Sequence, residues 1–180
     1  RHSPSRQAFC LLAYRKRGLQ TLSTPMIQKT LFSLLLILTA PLHAAGFTPI
    51  DRVAAGKLMD ASNYHQPTIV ALWSSDCSHC KKNLALLSSL TKTDKRIRVI
   101  TLAAEVESSE LAPLLDRYPL NGARYAYGND NPEAIAYAID PNWAGELPRT
   151  YFFNGSGGKE KISGVIPSAM LEKFIPAKLH

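Results

Sequence analysis

The sequence predicts an α/β domain in which helices cover both faces of a mixed sheet. Short β-branched and aromatic runs alternate along the chain with segments whose apolar residues recur at helical spacing. A glycine-rich turn, residues 155–158, separates the last two strand-like runs and predicts an antiparallel hairpin near the end of the chain. No internal repeat or low-complexity tract interrupts this order, so the sequence indicates one domain.

The first 44 residues are interpreted as a leader that precedes this domain. Gln28 and Lys29 begin a short charged segment, residues 31–38 are apolar, and residues 39–44 bring a proline and small residues, as in a secretory signal peptide. We assign residues 26–44 to the signal peptide, with cleavage after Ala44, and residues 45–180 to the domain. Residues 1–25 are either non-native upstream sequence or an extended leader. The apolar core is shorter than the roughly 20 residues that span a bilayer.

Removal of this leader changes the composition of what remains. The whole chain carries 21 Lys and Arg against 14 Asp and Glu, a net charge of +7. Six of the basic residues and none of the acidic ones lie in residues 1–44, so the net charge of the domain is only +1. This balance gives no support for a nucleic-acid partner. Cys10 leaves with the leader, and Cys77 and Cys80 are then the two cysteines of the domain.

The first half of the domain is predicted to begin with a short element and a helix within residues 47–59. The apolar side of that helix is predicted to hold Val53, Ala54, Leu58 and Met59. The first clear strand is Thr68–Trp73, an apolar run rich in β-branched residues. A helix follows from the cysteine pair to about Leu90, because its apolar residues recur at helical spacing. Its outward side is predicted to carry Lys81, Lys82 and Asn83.

The second half begins with a predicted strand over Arg96–Ala103. Ser108 or Ser109 is predicted to cap a helix that ends at Leu115 or Tyr118, before Pro119. Asn131 precedes a proline and an acid, which predicts a capped helix through Ile139.

Residues 141–148 are predicted to form a loop before the hairpin strands Arg149–Asn154 and Lys159–Val165. Pro167 is predicted to open a last helix that runs to about Ile175. Alternation up to the strand at Arg149 implies right-handed parallel crossovers, and the hairpin adds an antiparallel edge.

The two cysteines lie where a buried strand ends and a helix begins. Cys77 is predicted to occupy the exposed first turn of that helix, whose free N–H groups and positive dipole end stabilise an anionic sulfur. Cys80 lies one turn further on and is predicted to face the core. A dithiol at this spacing allows one thiolate to attack a disulfide and the second thiol to resolve the mixed disulfide.

This arrangement resembles the thioredoxin superfamily, and the export signal with the segment before Pro148 resembles its periplasmic TlpA/DsbE-like branch. Three features carry the resemblance: Trp73 four residues before Cys77, the dithiol itself, and Pro148 at the entrance to a strand. The resemblance implies a thioredoxin-like three-layer α/β/α fold and a cis peptide bond between Leu147 and Pro148, beside the disulfide.

The resemblance also implies an exported thiol–disulfide oxidoreductase that acts on protein substrates in the periplasm. Cys77 is the expected nucleophile and Cys80 the expected resolving thiol, and the expected substrate groove is formed by Trp73, Leu147 and Pro148. A membrane protein is an expected redox partner, the protein is expected to be a monomer, and no cofactor or metal is expected beyond the dithiol. The direction, reductase or oxidase, stays open.

The chain departs from the family pattern at two positions. Ala71 replaces the carboxylate or amide that the family places beneath the dithiol, and Asp76 replaces an aromatic residue before the first cysteine. Dithiol motifs of this kind lower a cysteine pKa from about 8.5 to roughly 3.5–7.5. We expect His79 and the helix end to favour the Cys77 thiolate and Asp76 to oppose it, so His79 and Asp76 tune the couple.

Other interpretations of these residues exist. The two cysteines could form a structural disulfide, although so small a loop stabilises a fold little, or ligate zinc, for which further ligands are scarce. A c-type haem site is excluded because Lys81 follows the second cysteine. A copper-handling or redox-inactive binding module on the same fold is the alternative function.

For a few further residues near the site, the sequence allows two different roles. Trp73 could pack in the core beside the site rather than contact substrate. Trp143, Tyr125 and Tyr127 either line a partner groove near Pro148 or anchor a loop. Glu105 could shuttle protons in place of a carboxylate at position 71, or lie on the surface.

Overall fold

A computed structural model describes residues 46–174 of the chain. Within that range, twelve segments of regular structure alternate as an α/β domain, including a short 3₁₀ turn at Ala61–Asn63. The strands are β1 Thr48–Ile50, β2 Thr68–Trp73, β3 Arg98–Val106, β4 Arg124–Tyr127, β5 Arg149–Phe153 and β6 Lys159–Ser163. The helices are α1 Arg52–Leu58, α2 Ser78–Thr93, α3 Leu111–Leu115, α4 Pro132–Ile139 and α5 Ser168–Phe174. The proposed signal peptide, its cleavage site and Cys10 lie outside the described residues.

The six strands form one mixed sheet in the order β1-β4-β3-β2-β5-β6. β1, β4, β3 and β2 run parallel, β5 is antiparallel to β2, and β6 is antiparallel to β5. The predicted mixed sheet and hairpin are therefore confirmed. The parallel crossover predicted into the strand at Arg149 is wrong, because Arg149 enters the sheet beside Leu72, near the end of β2.

Helices cover both faces of the sheet, as predicted. On one face α1 and α4 pack over a core that includes Leu58, Leu102, Ile135 and Tyr151. On the other face α2, α3 and α5 bury two adjoining clusters, one around Leu87 and Phe152 and one around the two cysteines. The central strand β2 is buried along its whole length, as expected for a strand covered on both sides.

Several element boundaries differ from the sequence prediction. β4 was not predicted, because only four residues pair and two of them are only partly buried. α3 begins after Glu110, and neither Ser108 nor Ser109 caps it with a side chain, so the predicted cap is wrong. The cap at Asn131 is confirmed, since its Oδ1 accepts hydrogen bonds from the backbone N–H groups of Glu133 and Ala134.

Two side chains lie on the opposite side from the one predicted. Val53 is 60% exposed, and Ala55 takes its place on the buried side of α1. Asn83 was predicted to face outward from α2 but is buried. Its side chain donates to the Gly164 carbonyl at 3.1 Å and accepts from the Ile166 N–H at 3.0 Å. The helix that carries the dithiol is thereby tied to the segment after β6.

Candidate active site

The dithiol lies at the junction of β2 and α2, where the sequence predicts it. The Sγ atoms of Cys77 and Cys80 are joined in a disulfide, with their Cα atoms 5.2 Å apart. Cys77 is partly exposed, whereas Cys80 is 1% exposed and packs against Trp73 and Leu84. A partner can therefore reach one sulfur and not the other.

Cys77 is the N-cap of α2. The Cys80 N–H donates to the Cys77 Sγ at 3.1 Å, and the Lys81 N–H donates to the Cys77 carbonyl at 3.3 Å. A sulfur in the cap position accepts an N–H that has no partner within the helix and sits at the positive end of the helix dipole. This geometry favours negative charge on Cys77 once the disulfide is reduced.

Two carboxylates bind the turn that precedes Cys77. The exposed Asp76 accepts a hydrogen bond from Ser74 Oγ at 2.7 Å. Glu105, near the end of β3, accepts from the Ser75 N–H at 2.5 Å and from Ser75 Oγ at 3.0 Å. Glu105 thus holds the turn to the neighbouring strand, a contact that neither of its two sequence readings included.

The Leu147–Pro148 peptide bond is cis, which confirms the implication of the resemblance. Pro148 is buried, and its carbonyl accepts from the Gly164 N–H at 2.8 Å. Leu147 packs against the cluster of the two cysteines and also against the core under α4. The predicted groove residues Trp73 and Leu147 therefore both pack in the cluster that holds the disulfide, and Pro148 follows Leu147 directly.

Trp73 is 1% exposed, and its ring centroid lies 6.2 Å from that of Phe47. This burial favours core packing beside the site over direct contact with a substrate. His79 is exposed in the first turn of α2, between the two cysteines. The tuning role of His79 stays a prediction.

Trp143, Tyr127 and Leu147 line a surface groove of about 390 Å³ beside the disulfide cluster. The Trp143 indole N–H donates to the Glu146 carbonyl at 2.8 Å, which also fixes the loop between α4 and β5. Tyr125 lines a different cavity, together with Ile50. Of the three aromatic residues proposed from the sequence to share one groove, Trp143 and Tyr127 do so and Tyr125 does not.

Arg149 directly follows Pro148, and sequence analysis did not assign it a role. It is 8% exposed, and its guanidinium donates to Asp140 at 2.7 Å, to Ser163 Oγ at 2.5 Å and to the Tyr151 hydroxyl at 3.2 Å. Lys161 also donates to Asp140, at 2.6 Å. A cation at the start of the apolar run Arg149–Phe153 is the one feature of the sequence that could have indicated this buried network.

The charges of the network alter its titration. Burial alone raises the pKa of Asp140, but hydrogen bonds from Lys161, the Asn142 N–H and Arg149 outweigh it and hold that pKa well below its ordinary value. Burial raises the pKa of Tyr151 to about 12, so it stays a neutral phenol. The network therefore keeps its ion pairs at neutral pH.

Within residues 46–174, no group of three or more His, Cys, Asp or Glu side chains is arranged to hold a metal ion. In the same range, no helix combines the length and apolar character that a membrane crossing needs.

No protein-family model matches the chain, and a comparison with curated proteins finds no relative. Among solved structures, one assigned as thiol:disulfide interchange protein DsbE from Chlorobium tepidum superposes with a TM-score of 0.50 at 14% identity, over 62% of this chain and 79% of that one. A secreted Mycobacterium tuberculosis disulfide oxidoreductase gives a TM-score of 0.49 at 16% identity, over 72% of this chain and 94% of that one. A thioredoxin-related protein from Neisseria meningitidis gives 0.45 at 21% identity, over 60% and 81%. The element order, the sheet and the first of these superpositions establish that this chain has the thioredoxin-like fold.

Proposed function

We propose that this protein is an exported thiol–disulfide oxidoreductase that exchanges disulfides with protein substrates through Cys77 and Cys80. The observation that carries the proposal is the asymmetry of the disulfide. Cys77 is accessible and accepts a helix-terminal N–H, whereas Cys80 is buried directly behind it. A nucleophile has to be reached by substrate, and a resolving thiol only has to reach the nucleophile.

In the reductive direction, the Cys77 thiolate attacks one sulfur of a substrate disulfide. A mixed disulfide forms, and the first substrate sulfur leaves as a thiolate that takes a proton from solvent. The Cys80 thiol then loses its proton and attacks Cys77, which re-forms the Cys77–Cys80 disulfide and releases the second substrate thiolate. Two electrons pass from the dithiol to the substrate, and oxidation of a substrate dithiol reverses each step.

The neighbouring residues have supporting roles in this proposal. His79 and the N-terminus of α2 favour the Cys77 thiolate, and the exposed Asp76 opposes it weakly because solvent screens its charge. Leu147 and Pro148 form the wall against which the substrate segment lies, with Trp73 behind them. The dithiol is the only redox group required, so no cofactor or metal takes part.

The cellular setting is part of the proposal. The signal peptide interpreted at residues 26–44 directs the domain to the periplasm, where protein disulfides form and persist. A membrane redox partner returns the dithiol to its working state, and the domain acts as a monomer. The name of the Chlorobium tepidum structure, a thiol:disulfide interchange protein, agrees with this activity.

Insulin reduction and a glutathione redox titration of the purified protein test the proposal. We expect metal-free activity that Cys77→Ser abolishes, whereas Cys80→Ser stops at a mixed disulfide. The same titration gives the direction: a reduction potential of about −120 mV indicates an oxidant, and one of about −270 mV a reductant. No exchange in the absence of metal, together with tight copper(I) binding by the reduced dithiol, would contradict the proposal and favour the binding module.

A further inference from the structure

A buried ion pair joins the two ends of the loop that carries the cis-proline. The loop begins at Asp140, the C-cap of α4, and ends at Arg149, the first residue of β5. Arg149 Nη2 donates to Asp140 Oδ2 at 2.7 Å, and the two residues are 8% and 7% exposed. The pair therefore closes the loop at its base, where solvent screens the charges little.

The other donors of the guanidinium bind the loop to the hairpin. Arg149 Nη1 donates to Ser163 Oγ of β6 at 2.5 Å and to Glu146 Oε1 at 3.3 Å. Ser163 Oγ in turn donates to Glu146 Oε1 at 2.7 Å. Glu146 precedes Leu147 and Arg149 follows Pro148, so the residues on either side of the cis dipeptide are bound to the same hydroxyl.

Asp140 also holds the first half of the loop. Its Oδ1 accepts from the Asn142 N–H at 3.1 Å, and its carbonyl accepts from the Trp143 N–H at 3.0 Å. Lys161 donates to Asp140 Oδ2 at 2.6 Å. The carboxylate of Asp140 therefore keeps a cationic partner even when Arg149 is replaced.

This network lies on the face of the sheet opposite to the dithiol. Arg149 Nε donates to the Tyr151 hydroxyl at 3.2 Å, and Tyr151 belongs to the core under α1 and α4. The two cysteines lie with α2 on the other face, and Leu147 packs in both clusters. The network therefore acts on the side of the dithiol through Leu147 and the adjoining Pro148.

The kind of interaction indicates what the network contributes. Apolar residues of similar volume often stabilise a fold as well as a buried ion pair does, because desolvation of the charges offsets their attraction. A planar guanidinium, however, binds several acceptors in one fixed geometry. Arg149 binds four side chains, those of Asp140, Glu146, Tyr151 and Ser163. The network therefore gives the loop a defined position beyond what apolar packing would supply.

We propose that Arg149 and Asp140 hold Leu147 and Pro148 in the position at which a protein substrate binds beside Cys77. The inference rests on the proposed function, in which Leu147 and Pro148 form the wall along the substrate segment. Arg149 and Asp140 are positioning residues, since they act through the loop and not on the reacting sulfurs. A polypeptide disulfide needs this wall, whereas a small disulfide needs only the accessible sulfur of Cys77.

Comparison of a polypeptide substrate with a small one tests the proposal. Insulin, with dithiothreitol as the electron donor, is the polypeptide, and the aryl disulfide DTNB is the small substrate. Arg149→Met keeps an apolar stem and removes every donor of the guanidinium. We expect the KM for insulin to rise roughly tenfold with kcat nearly unchanged, because the wall binds the substrate and its transition state alike. The rate constant with DTNB should stay unchanged.

Two further variants separate geometry from charge. Arg149→Lys keeps the charge but lacks the planar fork, so it should also raise the KM for insulin. Ser163→Ala removes the exposed hydroxyl that joins Arg149 to Glu146 and leaves the buried pair in place. It should raise the KM about threefold, the equivalent of one hydrogen bond, and it covers the case in which the Arg149 variants fold poorly.

Gly122→Ala is the control for lost stability. A Cβ at Gly122 would overlap the backbone of Val99, which pairs with Ile69 near the start of β2, whereas the dithiol follows the end of that strand. This variant should unfold more easily and still show the unsubstituted KM for insulin. An equal rise of the KM in Gly122→Ala would show that lost stability is a sufficient cause, and would contradict the proposal.

Other outcomes also overturn the inference while the proposed function stands. They are an equal loss of both reactions in Arg149→Met, full insulin activity of Arg149→Lys, and an unchanged KM in Ser163→Ala. Failure of the proposed function looks different, because the unsubstituted protein would then reduce no insulin.

Discussion

The carboxylate of Glu105 binds Ser75 twice, accepting from its N–H at 2.5 Å and from its hydroxyl at 3.0 Å. Thirty residues separate the two in the chain, and the turn that they hold ends at Cys77. Because the turn sets the direction in which α2 starts, the contact links the end of β3 to the position of the accessible sulfur.

Replacement of Glu105 should therefore affect both stability and exchange. In Glu105→Ala the two Ser75 donors lose a charged acceptor, and we expect a loss of about 2 kcal/mol in the free energy of unfolding. A displaced Cys77 should also exchange disulfides more slowly, by a factor on the order of ten. Urea denaturation measures the loss of stability. The rate at which the reduced protein first reacts with the aryl disulfide DTNB measures the slower exchange at Cys77. Glu110→Ala is the matched control, since Glu110 is exposed and makes no side-chain cap bond; equal behaviour of the two variants would count against the contact.

Asp140 should make stability depend on pH in the acid range. Its pKa is lowered in the folded protein, so its contribution is present above the unfolded value of about 3.9 and is lost as the pH falls below it. Asp140→Asn leaves Arg149 and Lys161 without their shared carboxylate, and we expect a cost of about 3 kcal/mol at pH 7.

The measurement is urea denaturation of both proteins between pH 7 and about pH 3. The difference between them should stay constant down to the ordinary carboxyl range and shrink below about pH 4. Glu172→Gln, at an exposed carboxylate, should differ little from the unsubstituted protein at any pH. A difference that persists unchanged at pH 3 would show that Asp140 does not act through its charge.

Asn83 should stabilise the helix that carries the dithiol by binding it to the segment after β6. Asn83→Ala leaves the Gly164 carbonyl and the Ile166 N–H without their partner, and we expect a loss of about 2 kcal/mol. The denaturant midpoint and the hydrogen exchange of Ile166 report it. Asn142→Ala, at an exposed asparagine, provides the comparison. Rapid exchange at Ile166 in the unsubstituted protein would be incompatible with this tether.

Two glycines should respond to alanine in opposite directions. A Cβ added at Gly56 in α1 meets nothing within 4 Å, so Gly56→Ala should stabilise by about 0.5–1 kcal/mol through helix propensity. A Cβ at Gly122 would overlap the Val99 carbonyl oxygen, so Gly122→Ala should destabilise by about 1–3 kcal/mol. Thermal unfolding of both proteins compares them, and a neutral Gly122→Ala would mean that the loop before β4 separates easily from β3.

The parts predicted from sequence are those whose cause is local. The apolar run of β2, the cap at Asn131 and the glycine turn before β6 each depend on a few adjacent residues, and all three are confirmed. The cis bond before Pro148 came from the resemblance, and no local pattern would have indicated it.

The parts that sequence reasoning missed depend on partners in other elements of the fold. β4 pairs over only four residues, and nothing within those residues requires a strand. Asn83 looks like an outward polar residue on α2 until the segment after β6, more than eighty residues away, supplies its partners. Arg149 is buried because Asp140 and the hairpin meet it there.

Adjacency and period are properties of the chain, and they suffice to predict that two cysteines three residues apart open a helix after a buried strand. What surrounds them depends on the folded chain: which sulfur is exposed, and which carboxylate holds their turn. Such contacts arise from sheet pairing, which brings the ends of β2 and β3 together although Ser75 and Glu105 are thirty residues apart in the chain.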